Sequence, residues 1–502
     1  MKWLAHILAL AVTLSAAGGT HAATPGSLPN GVTVFPTEDS QAVRLIETAE
    51  PADFFAMGPL PDLSLRELDT RAGRTFAILT GDAGTYNVFI FPDSGKPKIQ
   101  VFAIKLGAGS KPPDPPIPTT GFRILFLEES GKRSLLTAAQ ARIPADPAIR
   151  DYLDTHGDYR ILDPKNDTSN DSKDWKDLLA RPRQSDQWLI ASNPANTAAP
   201  SYEGPWPPDP PAALALLQKI GGKAQPLTRA APPLDLSRLP IINAANFKQY
   251  IGDGQQITIN GKTRRFGMRP RRPEFAAAAA LFSRPFDLPV IPRAEWSQRI
   301  KEGKGTWLSD IYRRYKVPVL DQDGLNYCHA FSPAEALIGL QAWQCGHWQE
   351  ISGGSIGGPA TGYVNEGAWI GDDLKVLTDL GAATVKFCPQ LAVRKSDWLD
   401  FTNGQKDALF HRVPMWLDLE PQNFAQVMTC LLTRKPVCVG LNWWSHAITY
   451  MDPVETAPNV FGVLFRNSWG ADYGDDGWAI LAEDKATPDE AYVPEQVYSL
   501  AL

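Results

Sequence analysis

Alternating apolar and polar positions predict β-strands in the first part of the chain. Three short runs there are rich in β-branched and aromatic residues and are separated by turn sequences containing Asp and Gly, at 75–80, 85–91 and 98–104. Successive strands joined by short turns pair as antiparallel hairpins. We therefore predict a small β-sandwich of immunoglobulin-like type over residues 23–110. The Pro-rich stretch 111–118 that follows predicts a stiff linker.

The pattern changes to alternating strands and helices over residues 119–222. Strand-like runs and helical segments follow one another, with strands at 122–127, 159–162 and 188–191, helices at 175–180 and 212–220, and a further helical segment ending near His156. This alternation predicts an α/β layer fold. The order of elements is similar to that of a thioredoxin-like domain, but the region contains no cysteine and cannot perform dithiol redox chemistry. We interpret it as a binding or spacer module.

An apolar segment, 330–343, predicts a buried helix in the last part of the chain. Cys328 lies at the start of this segment. A thiol at a helix N-terminus is close to the positive end of the helix dipole, which lowers its pKa towards the reactive thiolate. Taken alone, a buried cysteine is more often an inert core residue. The interpretation of Cys328 as a nucleophile therefore depends on partners elsewhere in the chain.

Two later stretches contain the side chains that such a thiolate requires. His446 follows a β-type run and offers an imidazole base, and Asn467 offers an amide that could fix the tautomer of that imidazole. A glutamine, Gln322, precedes Cys328 in the same stretch. Each residue alone says little, but together they predict nucleophilic catalysis by a thiolate.

The region 288–502 resembles the papain-like cysteine proteases around these positions. The family motif Q-G-x-C-G-S-C-W-A-F-S is matched at Gln322, Cys328, Ala330, Phe331 and Ser332. The motif N-S-W-G-x-x-[WY]-G-x-x-G-[YW] is matched at Asn467, Trp469, Gly470, Tyr473, Gly474, Gly477 and Trp478. The resemblance implies a C-terminal two-lobed domain, with a helical lobe and a β-barrel-like lobe. The whole chain is then a multidomain α+β protein.

The resemblance also implies a role for each site residue. Cys328 would attack the scissile carbonyl and form an acyl-enzyme, and His446 would protonate the leaving amine and later activate water. Asn467 would orient the imidazole, with Trp469 shielding their hydrogen bond from water. Gln322 would donate to the developing oxyanion, a contact typically worth about 3 kcal/mol of barrier. No cofactor or metal is implied.

The chain departs from the family pattern near the nucleophile. Leu325 stands where relatives usually carry a cysteine, and the segment 365–368 best matches the cleft loop that holds the partner of that cysteine. Gly367 and Ala368 are therefore substrate-cleft candidates that lack the family's disulfide, and Trp469 is a third candidate for the cleft. His329 replaces the tryptophan that usually follows the nucleophile. This imidazole could perturb the thiolate or pack as a flat ring.

Residues 223–287 are predicted to be a connecting region. They contain two basic runs, 262–265 and 269–272. One interpretation is a solvated loop, and another is an exposed site where processing releases the C-terminal domain. Family propeptides cover the active-site cleft, but this region carries no family propeptide motif. Restraint of the protease by the N-terminal domains is therefore a hypothesis.

Length and composition limit the remaining alternatives. A chain of 502 residues is too long for a single core and predicts about three domains. The net charge of −6 argues against nucleic acid as a partner. Residues 1–22 have the form of a secretory signal peptide, with a basic head, an apolar run and a small-residue end. No later stretch has the roughly 20 apolar residues of a membrane span. We expect a protein exported to the cell envelope or the medium.

Five cysteines are present, so four remain once Cys328 is assigned as the nucleophile. An even number can pair in an oxidising compartment. Cys430 and Cys438 flank a helix-to-strand turn and are the favoured pair, with Cys345 and Cys388 left for the second. A zinc site around Cys345 is disfavoured because its Cys-x-His spacing matches no common zinc ribbon.

Three hypotheses of function follow. The first is an exported papain-like cysteine peptidase, a hydrolase with protein or peptide substrates. The second is a catalytically inactive binding or surface protein that keeps the papain fold, which the altered surroundings of Cys328 leave open. The third, a transglutaminase-like acyl transferase, is disfavoured because that family uses Asp in place of Asn467.

Overall fold

The chain folds into two compact units, 1–114 and 115–502, in a computed structural model. The structure describes residues 32–35, 43–48, 52–57, 64–71, 74–80, 84–92, 100–106, 121–156, 158–193, 202–223 and 234–497. The predicted signal peptide, 1–22, and the predicted linker, 111–118, lie outside the described residues. Each unit is considered by itself below.

The described part of the first unit consists of antiparallel strands in two sheets. The strands are β1 Val32–Phe35, β2 Val43–Thr48, β3 Ala52–Met57, β4 Ser64–Arg71, β5 Arg74–Thr80, β6 Gly84–Pro92 and β7 Gln100–Leu106. The strand orders are β1-β2-β5-β4 and β3-β6-β7. The three predicted strands are confirmed as β5, β6 and β7. The expected antiparallel pairing of β6 with β7 is confirmed, whereas that of β5 with β6 is wrong, because β5 pairs with β2 and β4 and β6 pairs with β3.

The second unit begins with a four-stranded sheet and four helices. These are β8 Arg123–Glu128, α1 Ala138–Arg142, α2 Pro147–His156, β9 Asp158–Leu162, α3 Lys173–Leu179, β10 Gln187–Ser192, β11 Tyr202–Pro205 and α4 Pro210–Gly221. The strand order is β11-β10-β8-β9, and only the β8–β9 pair is parallel. The predicted alternation of strands and helices over 119–222 is confirmed.

The remaining elements complete the unit. The strands are β12 Ile241–Ile242, β13 Gln256–Ile259, β14 Lys262–Arg265, β15 Ser283–Pro285, β16 Met415–Asp418, β17 Val437–Leu441, β18 His446–Ala457, β19 Val460–Arg466, β20 Trp478–Ala482 and β21 Glu490–Gln496. The helices are α5 Ala276–Ala279, α6 Arg293–Glu302, α7 Leu308–Arg314, α8 Cys328–Cys345, α9 Gly353–Ala360, α10 Ile370–Asp379, α11 Phe401–Ala408, α12 Phe424–Leu432 and α13 Glu483–Ala486. The mixed α+β class is confirmed.

An eight-stranded sheet and helix α8 form the centre of this unit. The strand order is β12-β20-β19-β18-β17-β21-β16-β15. Side chains of β17 to β20 alternate between two hydrophobic cores, one shared with α8 and the other with α12. Helix α8 is apolar all round and almost completely buried, as expected for a central helix. It ends at Gly346, whose φ of +68° is a left-handed C-terminal cap.

The α/β layer of residues 119–222 packs directly against the region of α8. Arg150 is fully buried, donates to the carbonyl of Trp343 at 2.9 Å and lies over the Trp343 ring. Arg314 pairs with Asp151 and Asp154 across the same contact. Where the sequence predicted separate domains over 119–222 and 288–502, the structure therefore has one compact unit.

The prediction of a connecting region over 223–287 is wrong for its described part, 234–287. Strand β12 pairs with β20 and strand β15 pairs with β16, so this region supplies both edges of the eight-stranded sheet. Between these two strands, β13 and β14 form a hairpin. The hairpin leads into residues 264–269, which we call the cleft segment. The region is thus part of the fold, and its middle crosses the candidate site.

Candidate active site

Cys328 is the first residue of α8 and is completely buried. Its Sγ accepts a hydrogen bond from the backbone N–H of Gly267, with an N–S distance of 3.3 Å. The sulfur also lies against the backbone N–H groups of Met268 and Ala447. The thiol therefore contacts the backbone of the residue that follows the predicted base, His446, in the chain.

His446 is the first residue of β18, directly opposite Leu441 on β17. Its Nε2 donates to Oδ1 of Asn467 at 2.9 Å, which fixes the tautomer with the proton on Nε2. Nδ1 is then the free base nitrogen, and it has no hydrogen-bond partner among the described residues. The ring stacks on Trp469, with centroids 4.7 Å apart. This arrangement leaves a basic nitrogen for proton exchange with a neighbouring thiol.

The Gln322 amide is oriented by Ser468. Oε1 of Gln322 accepts from the Ser468 hydroxyl at 2.6 Å, so its Nε2 points the other way. Nε2 donates to the carbonyls of Leu325 at 2.7 Å and Arg265 at 3.1 Å. The predicted oxyanion donor therefore already holds a peptide carbonyl, that of the cleft segment.

The predicted cleft residues Gly367 and Ala368 contact the same segment. The Ala368 N–H donates to the carbonyl of Gly267, and the Arg269 N–H donates to the carbonyl of Ala368, both at 2.9 Å. A Cβ at Gly367 would lie only 2.2 Å from the Gly267 carbonyl oxygen, so the close approach requires glycine there. The structure thus brings the predicted catalytic and cleft residues together around residues 264–269.

The cleft segment runs in the direction opposite to that of a cleavable peptide. Phe266 packs against the rings of His446 and Trp469, at centroid distances of 5.7 and 5.8 Å, and Met268 forms a parallel bridge with Ala368. A substrate must place its leaving amine, and hence its C-terminal half, beside the imidazole that protonates it. In this structure it is the N-terminal part of the cleft segment, at Phe266, that lies beside the imidazole. The segment therefore fills the cleft without presenting a bond for attack.

Two residues that sequence reasoning did not single out hold the cleft segment. Arg264 is 2% exposed, forms a bidentate ion pair with Asp321, with an Nη2–Oδ2 distance of 3.1 Å, and donates to the Trp469 carbonyl at 2.7 Å. Gly267 lies so close to the backbone of Asn326 that a Cβ would be 1.7 Å from its carbonyl oxygen. The basic run 262–265 was the only signal in the sequence, and it indicated solvent rather than burial.

Burial reverses the expected electrostatics of the nucleophile. It raises the pKa of Cys328 to about 11, although backbone N–H groups of Ala447, Gly267 and Met268 oppose the rise. Burial also lowers the pKa of His446 to about 4, against the opposing effect of Asn467. The expectation that the helix dipole makes a thiolate is therefore wrong for the covered site. The covered pair is a neutral thiol beside a neutral imidazole.

This electrostatic state predicts how alkylation of Cys328 depends on pH. A raised pKa means that the thiolate fraction keeps increasing with pH towards about 11. The rate of carboxymethylation by iodoacetamide should therefore rise about tenfold per pH unit between pH 6 and pH 9, without a plateau. Mass spectrometry of the Cys328 peptide measures the rate. A plateau beginning below pH 7 in the wild-type chain would show that an ion pair is already present.

His329 points away from the nucleophile into a second buried pair. Its Nδ1 lies 2.6 Å from Oδ2 of Asp373 in α10, and both side chains are completely buried. Burial raises the pKa of Asp373, while His329 opposes that rise. Asp373 lies in an ordinary amphipathic helix, so sequence reasoning did not single it out. The pair joins the first turn of α8 to α10 and the 365–368 loop that precedes it.

Removing one member of this pair should destabilise the second unit. His329→Phe would leave the Asp373 carboxyl buried without its partner, at a cost of about 3 kcal/mol. The double variant with Asp373→Leu should recover more than half of that loss, since no unpaired polar group remains. The shift of the urea midpoint followed by tryptophan fluorescence measures both effects. If His329→Phe and the double variant were equally stable, the Asp373 carboxyl would have found another partner in the single variant.

The cysteine pairing predicted from the sequence is wrong. All five cysteines are described, and each is a buried free thiol. Because side chains alternate along β17, Cys438 packs in the core shared with α8, whereas Cys430 packs in the core on the opposite face. The sheet itself separates the two sulfurs.

Two kinds of feature are absent from the described ranges. There, no three His, Cys, Asp or Glu side chains gather in a way that could hold a metal ion. No helix of the same ranges combines the length and apolar character needed to cross a bilayer.

Three comparisons with known proteins gave matches only among solved structures. No family model matches the chain, and the comparison with curated proteins found no match. Among solved structures, it is similar to xylellain, a cysteine protease from Xylella fastidiosa, at 18% identity and a TM-score of 0.33, covering 47% of this chain and 96% of that chain. It is also similar to the structure describing mite allergens Blo t 1 and Der p 1, at 14% identity and a TM-score of 0.33, covering 50% and 81%.

A third similar structure is recombinant stem bromelain precursor. The identity is 18% and the TM-score 0.32, and the match covers 38% of this chain and 70% of that chain. At these identities the likenesses concern the fold alone. The chemistry of the site has to be argued from its own residues.

Proposed function

We propose that this chain is an exported cysteine peptidase of papain type that folds in a latent form. Cys328 would attack a peptide carbonyl, His446 would take and return the proton, and Gln322 would stabilise the oxyanion. Export rests on the signal-like sequence at residues 1–22. Protein or peptide substrates follow from the chemistry of an acyl-enzyme.

One observation carries this proposal. The His446–Asn467 hydrogen bond leaves the Nδ1 atom of the imidazole free in a site where Cys328 lies beside Ala447. Most buried polar atoms are hydrogen-bonded, but the Nε2 of the structural residue His329 is unpartnered among the described residues as well, so an unpaired ring nitrogen alone does not mark a base. An unpaired buried nitrogen next to a thiol instead suits proton transfer between them.

The latent form follows from the cleft segment. It precedes the catalytic residues in the chain, holds the Gln322 amide and buries Cys328. Water and substrate reach the thiol only after the segment moves. Displacement would restore solvent to Cys328 and His446, lower the pKa of the thiol and raise that of the imidazole. The region before the protease thus regulates it within one molecule.

A non-catalytic binding protein is the second candidate. The covered, neutral thiol favours it, since a cleft that is permanently filled needs no reactive nucleophile. The two candidates differ in one property. Only the peptidase has a Cys328 that becomes more reactive than an ordinary thiol when the cleft segment is displaced.

Peptide hydrolysis by the purified full chain tests the proposal. Wild type and Gly267→Ala, which disturbs the cleft segment, are incubated with a peptide library beside Gly267→Ala/Cys328→Ala. We expect cleavage by Gly267→Ala and none by the variant without the nucleophile. Iodoacetamide should label Cys328 ahead of the other four cysteines, which serve as internal controls because all are buried free thiols.

Two results would contradict the peptidase. One is cleavage that persists without Cys328, which would come from a contaminant. The other is a Cys328 that reacts no faster than an unfolded thiol after the cleft segment has been displaced. The second result would favour the binding protein.

A further inference from the structure

A cavity of about 260 Å³ lies beside the cleft where the segment leaves the nucleophile. Its apolar wall includes Trp369, on which Phe275 stacks with ring centroids 4.4 Å apart. Its polar wall contains two carboxylates, those of Glu366 and Asp372. The pocket is open to the same backbone, Gly367 and Ala368, that pairs with the cleft segment. A peptide bound along that backbone therefore presents a side chain to the pocket.

The cleft segment already places a cation there. The backbone N–H of Arg269 pairs with the Ala368 carbonyl, and its guanidinium lies 3.1 Å from the Glu366 carboxylate. Arg269 and Asp372 line the same pocket, where burial raises the pKa of the Asp372 carboxyl to about 6 and the Arg269 cation is one of the groups that oppose this rise. Arg272 lines the same pocket. The chain thus supplies an arginine to a pocket with two acids, through a backbone that pairs with Ala368 but runs opposite to a substrate.

We propose that this pocket selects a lysine or arginine side chain of the substrate on the N-terminal side of the scissile bond. The proposal rests on the proposed peptidase function, and it names the class of peptide that the site takes. Arg269 is the internal stand-in for the substrate cation. When the cleft segment leaves, Glu366 loses its ion-pair partner, and Glu366 and Asp372 are both open to an incoming basic residue.

The expected size of the preference for a basic residue depends on how exposed the charged side chains of the pocket are to solvent. The side chains of Arg269 and Glu366 are 56% and 63% exposed, so this pair alone is weak. Asp372 is half-buried and near Trp369, where water screens charge less. Together the two carboxylates should favour a basic residue over glutamine by about three- to thirtyfold in kcat/KM.

The first experiment measures this ratio in the full chain carrying Gly267→Ala. Fluorogenic peptides carry Arg, Lys, Gln or Glu at either the second or the third residue before the scissile bond. We expect Arg and Lys to be preferred at one of the two positions. Glu366→Gln combined with Asp372→Asn should bring the Arg-to-Gln ratio close to one. Asp379→Asn, an exposed acid on the same helix, is the matched control and should keep the ratio.

A second measurement needs no catalysis. In the otherwise wild-type chain, Arg269→Glu would place a third carboxylate beside Glu366 and Asp372. The cleft segment should then open more often, and alkylation of Cys328 should be about threefold faster than in Arg269→Ala. Adding Glu366→Arg to Arg269→Glu should slow alkylation again. This charge swap tests recognition of a cation by the pocket directly.

The outcomes separate the inference from the proposed function. Cleavage without preference for a basic residue, or a preference that survives loss of both carboxylates, overturns the pocket assignment and leaves the peptidase standing. A charge swap that behaves as expected in a chain that cleaves no peptide supports the pocket and rejects the peptidase. Equal alkylation of Arg269→Glu and Arg269→Ala overturns the pocket assignment in either case.

Discussion

Gly267→Ala is expected to accelerate alkylation of Cys328 by about five- to 150-fold at pH 7. The added Cβ would lie 1.7 Å from the carbonyl oxygen of Asn326, a backbone atom that cannot turn aside. The cleft segment must therefore retreat and give up its contact with Cys328 Sγ. The retreat lets water reach the thiol, so its pKa falls from about 11. The rate of iodoacetamide labelling, measured by mass spectrometry, reports the change.

Thr263→Ala is the matched control for this variant. Thr263 is exposed in β14, just before the cleft segment, and its side chain has no role in the cleft. It should leave the labelling rate within a factor of two of wild type, because exposed substitutions rarely exceed 0.5 kcal/mol. An unchanged rate in Gly267→Ala would mean that residues 325–327 yield instead of the segment, and the latent form would then lose its support.

Gln322→Ala is expected to lower kcat about 10²- to 10³-fold when measured in the Gly267→Ala chain. The side chain is completely buried, and its Nε2 donates to the Arg265 carbonyl in the covered site. In the open site the same N–H would meet the oxyanion of a bound substrate. The loss should fall on kcat rather than on KM, because the contact strengthens only as charge develops. Steady-state hydrolysis of a fluorogenic peptide measures both constants.

Ser468→Ala distinguishes this role from simple damage to the fold. The Ser468 hydroxyl donates to Oε1 of Gln322 and holds the amide in orientation without reaching the cleft. Its loss should lower kcat only about tenfold, the effect of a looser donor. If Ser468→Ala and Gln322→Ala were equally slow, or if Gln322→Ala changed KM alone, the oxyanion role of Gln322 would be wrong.

The candidate catalytic residues could be found in the sequence because each lies in a local motif. Cys328 begins an apolar helix, and Asn467 is followed by a pattern of glycines that turns require. Gly470, Gly474 and Gly477 all have positive φ, between +60° and +81°. Because a positive φ favours glycine, such positions can be recognised in the sequence. The strands β5 to β7 could be predicted for a similar reason, since turn residues mark their ends.

The cleft segment could not be found in this way. Its burial comes from contacts with residues far away in sequence, such as the pairing of Arg264 with Asp321 and of Gly267 with Ala368. An arginine-rich run is normally solvated, and no local pattern distinguishes this one. The Cys430–Cys438 error has the same origin. The two cysteines are close in sequence, but the sheet lies between their thiols.

The two short strands that flank the cleft segment have a consequence for activation. β12 and β15 are bound to opposite edges of the eight-stranded sheet, so the segment is tethered at both ends to the body that it blocks. A single backbone cut between them would leave each half attached, and its effective concentration at the cleft would remain in the millimolar range. Dilution therefore could not uncover Cys328. Lasting activation requires two cuts, or a ligand that outcompetes the segment where it lies.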